Sequence, residues 1–286
     1  MLSGSSNANA VRLLPTPELR HAVAACVLYS VISLAALVVT VFAFFRLRRK
    51  GLLGYGVWKL LRASTISFSL HCLIIVAFYA LKFSFERSID FAQTRIARKG
   101  VLESVYHAAT LFHYFTQSLL FVTLVNFNAA PPTGKVEKVL QGMVYLLCSA
   151  LKALAITIFV LNILTIIVTD TNTSEMSATD IFKLPLDGMM VGAVMIGIGC
   201  VLQKVSKCMP ARLAVLSGIL LLLCAVTQLS LTISTPSLDH MMSFHLPNVF
   251  RNGGTVIGAL ALLISASRQL GMNGSGARDK CDDGLD

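Results

Sequence analysis

Residues 21–45 read HAVAACVLYSVISLAALVVTVFAFF. The run holds no Asp, Glu, Lys or Arg, and a helix of this length, at 1.5 Å per residue, covers the ~30 Å hydrocarbon core of a bilayer. It stops at RLRRK, Arg46 to Lys50, a cluster of charge that lipid cannot solvate. Lipid also leaves no backbone group solvated, so only helices or closed barrels cross it. Barrel strands alternate apolar and polar residues in short pieces. Residues 21–45 do not, and they therefore predict a membrane-spanning helix.

Six further segments repeat the pattern: 58–83, 103–129, a stretch within 139–169, 188–206, 211–233 and 250–268. The fourth region is too long for one upright span; it is expected to tilt or to begin as an interfacial helix over 136–146. Across 286 residues the chain is 55% hydrophobic and 13% charged, about half the charged fraction of an ordinary soluble domain. The expected fold is all-α: a polytopic, seven-transmembrane bundle over 21–269. Residues 1–20 form an N-terminal tail with no signal-peptide pattern, and the Gly-rich, charged residues 270–286 form a disordered C-terminal tail.

The net charge of +10 flanks apolar spans, which points to topology and anionic headgroups rather than to nucleic acid. An N-terminus outside and a C-terminus inside place the larger share of Lys and Arg on the inner segments, led by Arg46–Lys50. On that assignment 1–20 is extracellular and 270–286 cytoplasmic. The first outer loop dissents, since it is itself basic. In 84–101, Phe85, Ile89, Ala92 and Ile96 recur at helical spacing, so this loop is expected to lie on the membrane surface or to extend the second and third helices. The outer loop 170–187, DTNTSEMSATDIFKLPLD, carries a glycosylation triplet at Asn172. All eight prolines fall outside the expected spans, which predicts regular helices without proline-broken segments. The seven cysteines show no C-x-x-C spacing, so no zinc or redox motif is implied.

The third span begins LESVYHAATLFHYFTQSLL, residues 102–120. Stepping ~100° per residue, His107, Thr110, Tyr114 and Gln117 share a face with Glu103, with His113 on its shoulder. The opposite face carries Val105, Ala108, Phe112, Phe115 and Leu119 and is expected to meet lipid. In the second span Ser67 and His71 form a smaller polar stripe, and His71 and His113 fall at similar depth on antiparallel neighbours. Gln228 lies near the outer end of the sixth span. Polar groups inside a membrane are costly and mark functional sites by default. Ser67, His71, His107, Thr110, His113, Tyr114, Gln117 and Gln228 are therefore the candidate ligand-binding residues of an outward-facing pocket.

Specific chemistries are poorly served. His71 and His113 offer one pair for bis-histidine haem ligation. Ser67-x3-His71, within SFSLH, resembles part of the pattern of the progestin and adipoQ receptor family, but the His-x3-His which that family needs in its last span is missing from 250–268. Rhodopsin-like receptors are similar in span number alone: the third span ends LVNFNAAPP, and VIGALALLISAS in the seventh has neither the Asn-Pro-x-x-Tyr motif nor a lysine for a retinal Schiff base. All fourteen acids fall outside the deep parts of the expected spans, which disfavours proton-coupled transport. The expectation is a receptor-like or sensing protein of the plasma membrane. Its partners would be the bilayer, a small ligand and a cytoplasmic signalling protein at the basic inner loops; no cofactor or metal is implied. A small-solute or lipid transporter comes second, and a membrane redox or hydrolytic enzyme third.

Overall fold

The structure, a computed structural model, describes residues 17–46, 57–87, 92–126, 135–168, 178–202, 209–233 and 252–267. Each segment is one helix: α1 Pro17–Arg46, α2 Val57–Arg87, α3 Ala92–Asn126, α4 Lys135–Val168, α5 Ala178–Leu202, α6 Met209–Ile233 and α7 Asn252–Ser267. The first six are long and apolar enough to cross a membrane; α7 is apolar but shorter, ~24 Å at 1.5 Å per residue. Residues 1–16 of the expected N-terminal tail, the C-terminal tail, the sequon at Asn172 and the histidines of 234–251 lie outside the described residues, while residues 17–20 belong to α1.

Of the two alternatives for 84–101, the second holds: α2 continues to Arg87 and α3 starts at Ala92, so most of this amphipathic segment extends the two helices. α4 is a single 34-residue helix with its apolar span at Gly142–Leu164 and Lys152 ten residues past Gly142. One expectation changes: the expected loop 170–187 is partly helical. α5 starts at Ala178 and contains Pro185, and its apolar span starts at Phe182. Pro185 and Asp187 are thus inside a spanning helix, where the sequence reading placed neither a proline nor an acid. The helix runs on through this turn, with Leu186 buried, although Pro185 lacks an amide hydrogen.

The helices pack in sequence order around α3. α1 meets α2 where Thr40 Oγ1 lies 2.9 Å from Ser69 Oγ. α2 meets α3 through Ser67 Oγ, which donates to the Phe112 carbonyl at 3.0 Å. α3 and α4 are tied by Asn126 and Tyr145, whose amide and hydroxyl lie 3.0 Å apart. α6 and α7 meet where Ser217 Oγ donates to the Ala259 carbonyl at 3.0 Å. α7 in turn touches α1: a Cβ on Gly253 would stand 2.8 Å from Ile32 Cδ1. The order therefore closes from α6 through α7 back to α1. Only a glycine permits that last approach, and Gly253→Val is expected to cost about 1–3 kcal/mol by overpacking, measured as a lower unfolding temperature of the purified protein.

α3 sits at the seam of two apolar clusters. Ala109, Leu120 and Leu124 belong to one with α1, α2, α6 and α7 residues; Tyr114, Phe121 and Val122 belong to the other with α4 and α5. From Leu120 to Leu124 the helix is buried on every side, whereas Val105, Ala108, Phe112, Phe115 and Leu119, the face expected to meet lipid, stay partly exposed. The small residues of α5 divide as well. Ala193 is buried and Gly197 packs against Leu124, whereas a Cβ on Gly188 or Gly192 would meet open space.

Candidate functional site

The polar face of α3 fans out to four neighbouring helices. His107 pairs with Asn162 of α4 at 3.0 Å. Thr110 bonds back to the Tyr106 carbonyl at 3.0 Å, within its own helix. Ser67 of α2 holds the Phe112 carbonyl. These three candidates are separately engaged. The other five, His71, His113, Tyr114, Gln117 and Gln228, converge.

Helical spacing explains the convergence. His113 and Gln117 are four residues apart and share a face, and their side-chain nitrogens lie 2.9 Å from each other. Opposite them α6 presents Gln228. Its Oε1 is 3.0 Å from His113 Nε2 and accepts from Gln117 Nε2 at 3.2 Å. A carbonyl oxygen has no proton to give, so Gln117 Nε2 donates to it, while His113 Nε2 faces both this oxygen and the Gln117 amide nitrogen, its role set by the ring tautomer. One turn further along α6, Thr232 Oγ1 donates to Asp187 Oδ2 of α5 at 2.7 Å. The second carboxylate oxygen, Oδ1, accepts from the Tyr114 hydroxyl at 2.8 Å. From α2, the His71 ring stands 5.0 Å from that of His113, and its Nδ1 donates to the Ala109 carbonyl at 2.8 Å. Four helices thus contribute to one connected polar cluster: His71 (α2), His113, Tyr114 and Gln117 (α3), Asp187 (α5), and Gln228 and Thr232 (α6).

Burial makes this arrangement costly. Asp187 is 2% exposed and Gln117 4%. Polar groups withdrawn from water must be paired, and a charge most of all. The pairing is incomplete: Gln117 Oε1 and His113 Nδ1 are buried with no hydrogen-bond partner among the described residues. The contact between His71 and His113 also tests haem. Two imidazole rings 5.0 Å apart at 47° touch each other and leave no slot for a porphyrin, so this pair does not fit a bis-histidine haem. Among the described residues no group of three or more His, Cys, Asp and Glu is placed to hold a metal ion.

Asp187 and Thr232 are the members that sequence reasoning missed. Asp187 follows DTNTSEMSATDIFKLP, whose polarity and proline read as a loop. The signal that was available is the apolar pattern of Ile181, Phe182, Leu184 and Leu186 directly before it. Thr232 is an ordinary helix threonine until α5 brings a carboxylate to it.

No family model matches the chain, and no curated protein and no solved structure is detectably similar to it. Six of its helices are apolar and long enough to span a membrane, which is consistent with an integral, multi-pass helical membrane protein.

Proposed function

We propose that the chain is a receptor-like or sensing protein with seven spans, its N-terminus outside and its C-terminus inside, in the plasma membrane. The observation that carries this reading is the cluster itself: seven polar side chains from four helices, with two buried polar atoms left for a ligand to satisfy. Supporting it, α7 packs between α6 and α1 as one more member of the bundle, which is how a seventh span would sit. Under this orientation the cluster lies towards the outer ends of the helices. Thr232 is in the last turn of α6, and Asp187 is five residues into the span of α5. The basic residues Arg46–Lys50 are then on the opposite, cytoplasmic side, where a signalling partner would dock. Ligand binding at the cluster would act on α3, which touches the neighbours that a signal has to move.

The test is a response. In cells expressing the full chain, a panel of small polar compounds added outside should include some that change an intracellular second-messenger reporter. Gln117→Leu should abolish that change at equal surface abundance. Compound uptake into the same cells without any reporter change would overturn the proposal. It would favour the second reading, a small-solute transporter, which one observation supports: Asp187 is a carboxylate inside a span, next to hydroxyl, amide and imidazole groups that can exchange protons or solute contacts.

A further inference from the structure

We infer that the cluster binds a small organic ammonium ion, a protonated primary amine. This rests on reading the cluster as a ligand site, and it adds the chemical class of the ligand.

The hydrogen-bond inventory is one-sided. Tyr114 gives its single hydroxyl hydrogen to Asp187, and Thr232 directs its own to Asp187 at 2.7 Å with the Gln228 carbonyl at 3.2 Å as the second acceptor. Each carboxylate oxygen can accept more than one hydrogen, so Asp187 retains acceptor capacity. With the His113 proton on Nε2, Gln228 Oε1 receives both His113 and Gln117, and His113 Nδ1 is an acceptor; this Nδ1 is one of the two unpartnered atoms. The other, Gln117 Oε1, is an acceptor by nature and belongs to a side chain only 4% exposed. Among the described residues, the cluster's two unpartnered atoms call for hydrogen donors, and its buried carboxylate calls for a countercharge.

A primary ammonium supplies both, with three N–H donors and one positive charge. An alkali cation supplies charge alone and prefers oxygen ligands, which leaves the imidazole nitrogen unused. A carboxylate or phosphate ligand would add acceptors and negative charge to a site that already has both. The only lysine near Asp187 along its own helix is Lys183, one turn towards the outer end. A lysine stem is long enough to carry its ammonium from there to headgroup water. Thr232, which covers one carboxylate oxygen, stands in the last turn of α6.

The experiment is thermal unfolding of the detergent-purified full chain, titrated with ethylammonium chloride. Sodium chloride, ethanol and sodium acetate at equal concentration are the comparisons. Ethylammonium is expected to raise the unfolding temperature saturably in the millimolar range, as befits so small a ligand, and the other three are not. Asp187→Asn, nearly isosteric but uncharged, should remove the shift. Gln117→Leu should weaken it and serves if Asp187→Asn fails to fold. An equal shift with sodium chloride, a shift retained in both variants, or no shift with any compound would each overturn the inference. The outcome separates from that of the proposed function. An ammonium-specific shift without any cellular response would leave this site standing and remove the sensing role. A response to neutral or anionic compounds with no ammonium shift would do the reverse.

Discussion

Asp187→Ala is expected to lower the unfolding free energy of the purified protein by about 1–3 kcal/mol, and to do so more than Tyr114→Phe or Thr232→Val alone. The carboxylate receives the Tyr114 hydroxyl from α3 at 2.8 Å and the Thr232 hydroxyl from α6 at 2.7 Å, so one substitution releases two interhelical hydrogen bonds and strands the Tyr114 donor, while Thr232 keeps the Gln228 carbonyl of its own helix at 3.2 Å. Interhelical hydrogen bonds in membranes measure ~0.6 kcal/mol on average and ~1.7 at most, and two of them set the range. Each hydroxyl deletion removes one. Equilibrium unfolding in mixed detergent micelles gives all three values. A flat series, with Asp187→Ala no worse than Thr232→Val, would show that the carboxylate does not tie α3, α5 and α6 together. The same variants read function separately: a cluster that only packs helices loses stability in this order but leaves every ligand response intact.

Leu124→Ala is expected to cost about 2–5 kcal/mol, the range for emptying a fully buried leucine site. Leu124 is 0% exposed and fills the space where α5 and α6 both approach α3 through glycines. A Cβ on Gly197 would stand 2.9 Å from Leu124 Cδ2, and one on Gly218 would stand 3.2 Å from the same atom. Gly197→Ala alone is expected to cost about 1 kcal/mol, because the crowded atom is the end of a leucine side chain that can shift slightly. The two changes then couple, because the alanine at 197 occupies volume that Leu124→Ala vacates. The double variant should be more stable than the summed single losses by at least ~0.5 kcal/mol, the lower end for side chains in contact. Strict additivity in thermal or denaturant unfolding would mean that Leu124 and Gly197 do not share a surface.

Much of the architecture is legible in the residues alone. A run such as 21–45 has one stable solution in lipid, and its length dictates the span; the same reasoning recovers α1, α2, α3, α4 and α6 with modest shifts at their ends. It stumbles at the start of α5, because Pro185 and a polar approach imitate a loop. Only the packing against α3 and α6 shows Leu186, Asp187 and Met190 to be buried. The two-faced character of LESVYHAATLFHYFTQSLL is equally legible, since periodicity is a property of one helix.

What periodicity cannot say is where a face points. The eight candidate residues divide into three separate engagements and one cluster. His107 turns to Asn162 of α4, Thr110 bonds its own backbone, and Ser67 clasps the Phe112 carbonyl. Only His71, His113, Tyr114, Gln117 and Gln228 meet, joined by an aspartate and a threonine that no local pattern singled out. The sequence by itself determined that this is a helical membrane protein with polar groups that lipid cannot solvate, because transfer into hydrocarbon penalises each residue regardless of its neighbours. The tertiary structure alone decided which of those groups share one site, because a hydrogen bond between α3, α5 and α6 depends on the angle and depth at which three helices pack.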